Sequence, residues 1–324
     1  MISKEYIKFD PDDILPDADW NKRLLSSEFG SIFQTVEYGE YEKTISNSQP
    51  QYLKFRHESN IVGQILLFKV RGGKGKLTKF IPRIKWVWTH GPVVFDSSYY
   101  AVISEHLFDF LKFKKFEGTP HPQDKKLFML QEKYNLKKEE TATFIIDLNQ
   151  ELLTILKNTD KKSVQKNIER AYERGVTVNE ISTEEHIKYY SDILNQYRES
   201  SSLPGYTYEQ IKKAFSLAKY VGNGTGFLAW YDKVPIGGIF ISAFNGYINE
   251  WGIARSNIDT EKKLYAQDLL RWKIIEWGKK KGCRFYDLSG VKYPEEQQST
   301  KEKGIFQNKK KWGGELTPYP IFKK

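Results

Sequence analysis

The sequence predicts a mixed α+β protein of two tandem domains, each built around a mixed sheet, and three observations support this. The chain has 324 residues, a length that suits two domains of ordinary size. Short β-rich runs alternate with longer segments of helical periodicity. The same order of elements occurs once in each half: strand hairpin or meander, long helix, short strand, loop of small residues. This order predicts a weak internal repeat.

The first half contains the elements of the first repeat. Tyr52–Arg56 and Ile61–Val70 are rich in β-branched and aromatic residues, and the turn-like segment between them predicts a hairpin. Lys85–Phe95 predicts a further strand region. Ser98–Phe116 has apolar residues at helical spacing, and a short strand run at Phe113–Glu117 leads into a loop. A clear strand at 143–148 closes this half.

The second half starts with helices. A short helix is predicted at Glu151–Lys157 and a strongly basic one at Lys162–Arg174, which ends at Gly175. Two capping boxes, Ser182-x-x-Glu185 and Thr207-x-x-Gln210, predict helices that run to about residues 199 and 220.

A three-stranded meander follows these helices. Asn245-Gly246 is a two-residue hairpin signal between two of its strands. A long amphipathic helix and a last strand complete the repeat. The predicted strands and the helix are Phe227–Tyr231, Ile236–Phe244, Tyr247–Ala254, Leu264–Lys281 (the helix) and Arg284–Leu288.

Charge and composition limit the classes of function. The net charge of +10 is concentrated in residues 61–140 (+7) and 261–324 (+8), which indicates either a polyanionic partner or a solvated lysine-rich surface. The single cysteine, Cys283, excludes a disulfide framework, a cysteine-based zinc site and an iron–sulfur cluster. The five histidines show no metal-ligand spacing, so no metal is expected. Met1–Asp13 is charged and lacks the apolar core of a signal peptide, which predicts a cytoplasmic protein.

The order of meander, helix and strand is that of a GNAT-type acyltransferase domain, and two such domains fit the length. Four blocks of sequence then resemble the FemABX family, in the family's order and over most of the chain. The C-terminal block is the most specific of them. In it, the end of a strand is followed by glycine and a hydrophobic residue, then by a lysine, and then by Gly-Gly. The blocks are Ile32–Tyr38, Trp88–Val94, Lys162–Val178, and Tyr286–Val291 with Lys303–Glu315.

The resemblance implies a function and a domain division. FemABX proteins are tRNA-dependent aminoacyltransferases that build peptidoglycan cross-bridges. The expected donor is therefore aminoacyl-tRNA, the expected acceptor is an amine of a nucleotide- or lipid-linked muropeptide, and no cofactor is expected. The resemblance implies GNAT-like domains at 1–149 and 150–315, with the strand-like tail 316–324 returning to the first. The protein would be cytoplasmic, with peripheral association at the inner face of the membrane as an option.

Two residues are candidates for catalysis. Aminoacyl transfer to an amine needs a positioned acceptor and a cation or donors where the oxyanion develops, but no protein nucleophile. Lys309, in the motif, is the candidate cation; its alternative role is a solvated lysine of the run 309–311. Substitution of the neighbouring Lys311 is expected to have little effect. Asp287 ends a strand beside a small-residue loop and is either catalytic or a cap of that loop.

Binding candidates fall into two groups. Arg198 and Tyr206 are candidates for acceptor binding, because the resemblance implies an acceptor-binding arginine near Tyr206–Glu209 and Arg198 is the arginine closest to it. Trp251 is either a substrate contact or a packing residue. Asn308 departs from the family, which has phenylalanine there. A row of cations at i, i+4, i+8 and i+12 of the basic helix could track a phosphate backbone or be an ordinary exposed face. The row is Lys162, Lys166, Arg170 and Arg174.

Two other functions stay open. The runner-up is an acyl-CoA-dependent GNAT-type N-acyltransferase that acts on an envelope sugar or lipid. Against it, residues 254–259 before the long helix contain no glycine and lack the turn that holds pyrophosphate in CoA-dependent GNAT enzymes. The third is a non-catalytic RNA-binding protein, in which the Lys309 motif would have no purpose.

Overall fold

The fold is given by a computed structural model that describes residues 3–46, 48–72, 83–137, 139–222 and 224–324. The chain divides into two compact units. Unit 1 consists of Met1–Ala142 with Thr317–Lys324, and unit 2 of Thr143–Leu316. Among the described residues, no helix has the length and apolarity needed to cross a lipid bilayer.

The described helices and strands alternate along the chain. The helices are α1 (Trp20–Ser26), α2 (Val36–Ser46), α3 (Tyr100–Leu111), α4 (Leu130–Lys133), α5 (Leu152–Asn158), α6 (Lys166–Glu173), α7 (Glu184–Ser200), α8 (Tyr208–Val221), α9 (Asn257–Glu261), α10 (Ala266–Lys280) and α11 (Thr300–Lys310). The strands are β1 (Ile7–Phe9), β2 (Gln49–His57), β3 (Asn60–Gly72), β4 (Arg83–Trp88), β5 (Val93–Val94), β6 (Lys115–Gly118), β7 (Glu140–Asp147), β8 (Thr177–Glu180), β9 (Thr225–Tyr231), β10 (Val234–Phe244), β11 (Tyr247–Arg255), β12 (Phe285–Val291), β13 (Glu315–Pro320) and β14 (Phe322–Lys323).

Unit 1 is a mixed sheet with the strand order β1-β2-β3-β4-β6-β14, and β5 pairs with β3. The strands β4 and β6 run parallel, and α3 provides the crossover between them. The chain end joins this sheet because Phe322, which is fully buried, pairs with Gly118 of β6. The apolar face of α3, with Ile103 and Leu107, packs into the same core as Leu53 of β2.

Unit 2 repeats the pattern in a sheet of order β13-β7-β12-β11-β10-β9-β8, whose β7 and β13 straddle the unit boundary. The antiparallel meander β9-β10-β11 leads into α10, which crosses to β12 parallel to β11. The parallel pairing covers three register positions and ends at Asn249↔Asp287. Both strands, which the structure describes in full, continue beyond that point without further register pairs between them. The residues that follow on the two strands are therefore held by side-chain contacts.

The predicted fold class is confirmed, and several local predictions can be checked. The Asn245-Gly246 hairpin is confirmed; φ is positive at both residues (52° and 74°), as a type I′ turn requires. The Thr207 capping box is confirmed. The first predicted box is wrong by one residue, because Thr183 and not Ser182 caps α7 and accepts from the His186 amide. The long helix begins at Ala266, two residues later than predicted.

Candidate active site

A cavity of about 550 Å³ lies in unit 2, bordered by β11, α6, α10 and α11. Five cations and two carboxylates line it: Arg255, Arg271, Lys301, Lys309 and Lys311, and Asp259 and Asp268. The remaining lining residues are Asn167, Tyr197, Ile253, Tyr265, Gln267, Gly304, Ile305 and Asn308. Among the charged lining residues cations outnumber carboxylates, and Lys301 and Lys309 are the two cations that form no ion pair within the described residues, which suits an anionic ligand.

A buried ion pair forms one wall of the cavity. Arg271 donates from Nε and Nη2 to the Glu250 carboxylate at 3.0 Å each, and each side chain is 3% exposed. The Tyr286 hydroxyl donates to Glu250 at 2.7 Å, and Arg271 Nη1 donates to Asn308 Oδ1 at 2.6 Å. Burial raises the pKa of Glu250, but the Arg271 charge outweighs it and holds that pKa below its ordinary value. The Arg271 charge therefore favours the ionised form of Glu250, and the two hydrogen bonds between them fix the pair in position.

Lys309 lies in the last turn of α11 and is 7% exposed. Its Nζ donates to the carbonyls of Ser289 and Gly290 at 3.0 and 3.1 Å. Burial lowers the pKa of Lys309, and the negative charge of Glu250 opposes that decrease. An ammonium has three N–H donors. In the described part of the chain, two of these go to carbonyls, so the third remains for a ligand oxygen in the cavity.

Asp287 is not among the residues that line the cavity. Its carboxylate is 3% exposed and accepts hydrogen bonds from Thr143 Oγ1, from the Tyr247 hydroxyl at 2.8 Å and from the Ser289 amide at 2.7 Å. Burial raises the pKa of Asp287 despite these bonds. β12 continues to Val291, so Asp287 does not end its strand as predicted. Its contacts fix the part of β12 whose carbonyls hold Lys309, and in this way Asp287 helps to position the cation. A catalytic role for Asp287 stays a prediction.

The predicted cation row lies beside the same cavity, although none of its four cations is among the lining residues. Lys162 lies in a π-helical turn (Lys161–Gln165) before α6, and both Lys162 and Lys166 are exposed. Arg170 and Arg174 lie over the ring of Tyr265, with guanidinium carbons 5.6 and 5.3 Å from its centroid. Tyr265 lines the cavity. The basic helix therefore runs from an exposed surface to the cavity that contains Lys309.

Three of the predicted substrate contacts do not line the cavity. Arg198 donates to the Pro204 carbonyl at 2.6 Å and lies 4.3 Å from the centroid of Tyr206. Trp251 packs edge-on against Phe240, with ring centroids 5.5 Å apart. A substrate role for these three side chains stays a prediction. Asn308, the fourth of this group, does line the cavity.

Lys311 differs from expectation. It lines the cavity and forms an ion pair of 2.7 Å with Asp268, whose side chain is 8% exposed. It is therefore not a solvated neighbour of Lys309, and the expectation that its substitution would have little effect is wrong in its premise. Lys310, which is exposed on the same turn, fits that description.

A carboxylate occupies the N-terminus of α10. Asp259 is 1% exposed; it accepts from the Ala266 amide at 2.9 Å and from Arg255 Nε at 2.9 Å. Asp268 lies in the first turn of the same helix. Helix N-termini attract anions, and here the protein itself supplies the anion. Within the described residues, no group of three or more His, Cys, Asp or Glu side chains is arranged to hold a metal ion.

Sequence reasoning missed Glu250 and Arg271. Glu250 is the only charged residue of the strand Tyr247–Ala254, whereas Arg271 is a buried residue of α10, a helix that contains several other charges. Lone charges on the buried face of an element rarely stay unpaired. That rule would have predicted a buried pair, although not its partners.

Solved structures with a similar fold identify the class. FemX aligns with a TM-score of 0.76 at 12% identity, and the alignment covers 96% of each chain. L-PGS from Bacillus licheniformis aligns at 0.62 and 12% identity, over 95% of this chain and 92% of that one. A tandem GNAT protein from the clavulanic acid biosynthesis pathway aligns at 0.55 and 11% identity, over 98% and 97%. No protein-family model and no curated protein sequence matches the chain.

These likenesses show a tandem GNAT-like fold. The agreement with FemX over nearly the whole of both chains confirms the tandem-domain fold that the resemblance implies. At this level of identity the likeness shows the fold, and the chemistry depends on the residues of the cavity.

Proposed function

We propose that this protein is an aminoacyltransferase that moves an amino acid from aminoacyl-tRNA to an amine of a peptidoglycan precursor. One observation carries the proposal: the buried Lys309 ammonium presents a donor to a cation-lined cavity that the basic helix α6 borders. The 3′ end of an aminoacyl-tRNA carries phosphates and an aminoacyl ester close together. The cations of the cavity and of α6 would attract the phosphates, and the Lys309 ammonium would donate a hydrogen bond to the ester.

The chemistry needs little from the protein beyond position and charge. The acceptor amine attacks the ester carbonyl, and its electron pair forms the new C–N bond while negative charge develops on the carbonyl oxygen. The Lys309 ammonium, held by two backbone carbonyls, donates a hydrogen bond to that oxygen. The C–O bond to the ribose then breaks, and the leaving ribose oxygen takes the proton that the amine releases. The reaction would occur in the cytoplasm, where aminoacyl-tRNA is made.

The second candidate is an acyl-CoA-dependent N-acyltransferase, which the likeness to a tandem GNAT protein favours. The α10 N-terminus in unit 2 counts against it. A CoA pyrophosphate placed there would have to displace the Asp259 carboxylate from the Ala266 amide and would face Asp268 in the same turn. This repulsion supports a tRNA donor for the site in unit 2.

The test is a transfer reaction with a defined donor. The protein is incubated with a muropeptide precursor, labelled amino acids, ATP, total tRNA and synthetases, with and without RNase, and in parallel with acyl-CoA alone. We expect label on the precursor that RNase abolishes, and little transfer by the Lys309→Met variant beside normal transfer by Lys310→Met. Transfer that survives RNase, or that proceeds with acyl-CoA alone, would promote the second candidate.

A further inference from the structure

One region of unit 1 combines an exposed aromatic ring with unpaired positive charge. Phe113 follows α3 and is 92% exposed, more than any other large apolar side chain in the described residues. We call this ring and four lysines near it the Phe113 patch; the lysines are Lys69, Lys112, Lys114 and Lys324.

Short distances tie these side chains into one surface. The ammonium groups of Lys69 and Lys114 lie 5.0 and 5.9 Å from the centroid of the same ring, Trp86. The Lys112 ammonium lies 5.6 Å over the Phe113 ring, and Lys324 Nζ donates to the Lys112 carbonyl. Residues from β3, from the turn after α3 and from the chain end therefore share one face.

Among the described residues, none of the four lysines of the patch forms an ion pair with an acidic side chain. The nearest acid on β6, Glu117, is paired with Lys85 at 2.8 Å and also lies 3.6 Å from Lys323. Burial and the positive charge of Lys69 together lower the pKa of Lys114, so like charges already repel one another here. Such a surface attracts an anionic partner.

We propose that the Phe113 patch docks the protein on a bilayer that contains anionic phospholipids, with Phe113 inserted at the level of the headgroups. A ring that projects among lysines has an apolar tip for the interface and ammonium groups for the lipid phosphates. Ile84, two residues before Trp86 on the same face of β4, is 45% exposed and adds apolar area. This inference does not depend on the proposed function.

An RNA partner fits the patch less well. RNA-binding aromatics offer a ring face on which a base can stack. The Lys112 ammonium lies over the face of Phe113. Arg71, the register partner of Ile84, lies beside the patch, but the cations of the patch itself are lysines, whereas guanidinium groups are preferred for recognition of nucleic-acid phosphates. In this protein, arginines of that kind lie on α6 of unit 2.

The test is co-sedimentation of the intact protein with vesicles. One vesicle type contains only phosphatidylcholine; the other contains equal parts of phosphatidylcholine and phosphatidylglycerol. We expect binding to the anionic vesicles alone, weakened by salt. At about 1 kcal/mol for each lysine near an anionic surface, Lys112→Ala with Lys324→Ala should lower the partition coefficient roughly 30-fold. Phe113→Ala should lower the partition coefficient roughly tenfold, because the variant lacks the phenyl ring that is half-buried in the bilayer interface of the bound protein.

Matched controls separate docking from general charge and apolarity. Tyr220→Ala removes an aromatic ring of similar exposure (84%) from unit 2, and Lys280→Ala with Lys281→Ala removes two exposed lysines from the end of α10. Both controls should leave vesicle binding unchanged. Equal decreases in the patch and control variants would overturn the proposal. So would patch variants that lose affinity for total tRNA, measured by anisotropy, while vesicle binding persists.

Discussion

Replacement of Lys309 by methionine tests the chemistry most directly. The substitution keeps the length of the side chain, so the last turn of α11 stays filled while the ammonium disappears. Loss of one preorganised donor to an oxyanion lowers kcat by roughly 10²- to 10³-fold, which is about 3–4 kcal/mol of transition-state stabilisation. The Ser289 and Gly290 carbonyls lose a donor, while the cost of burying a charge also disappears, so we expect the melting temperature to change little.

The assay is the rate of label transfer from purified aminoacyl-tRNA to the precursor, with kcat and KM determined separately. A donor that acts only in the transition state should affect kcat and kcat/KM equally, with little change in KM. Lys310→Met is the matched control, because that lysine is exposed on the same turn. Equal and small decreases in the two variants would refute the catalytic role of Lys309 and leave it the structural role of holding the Ser289 and Gly290 carbonyls.

The pH dependence gives an independent check on the same group. Burial lowers the pKa of Lys309, and the Glu250 charge only opposes that effect. The catalytic ammonium should therefore lose its proton, and the rate should fall, at a pH below the ordinary pKa of lysine. In Lys309→Arg the group stays charged, so this alkaline decrease should be absent even if the remaining rate is low. A wild-type rate that stays constant through the alkaline range would contradict this.

Three further predictions concern other parts of the molecule. Glu250→Gln, which leaves Arg271 buried without its charge partner, should lower the free energy of unfolding by about 3–5 kcal/mol, and adding Arg271→Met should restore part of it, as measured by denaturant titration. Burial raises the pKa of Asp124 to about 6. Between roughly pH 4 and pH 6 the folded protein therefore binds more protons than the unfolded chain, and its free energy of unfolding falls as pH rises, by about 3 kcal/mol at most. Asp124→Asn should flatten this pH dependence, as measured by denaturant titration at several pH values. Lys162→Ala with Lys166→Ala should weaken tRNA binding. The slope of log affinity against log salt should decrease by ~0.7–0.9 for each phosphate that the variant no longer neutralises. An unchanged slope would show that these lysines do not contact RNA phosphates.

Local signals in the sequence predict local structure well. Asn245-Gly246 specifies its hairpin because both positions need positive φ, and Thr207 with Gln210 specifies a helix start because each side chain satisfies an end amide of the helix. Ser299 with Glu302 forms a third signal of the same kind at the start of α11. Such elements depend on hydrogen bonds between near neighbours in sequence, so no tertiary information is needed.

The site could be predicted only in part, because its key contacts join distant positions. The motif indicates Lys309, but not that two carbonyls about twenty residues earlier hold its ammonium. Asn167 and Asp268 are 101 residues apart and share a hydrogen bond beside the cavity. Arg198 and Tyr206 are close in sequence and form a local cation–π contact, but neither side chain lines the cavity.

The end of the β11–β12 pairing explains why stability and chemistry should be coupled in this protein. After the last register pair, Asn249↔Asp287, the next residue on β11 is Glu250, whose side chain is held by Arg271. The Glu250 carbonyl accepts from the Ser289 hydroxyl, and the Ser289 carbonyl accepts from Lys309. Ser289 thus connects the buried ion pair to the catalytic candidate through two short contacts. A change at Glu250 that loosens the pair should therefore move Lys309, and Glu250→Gln should lower kcat as well as stability.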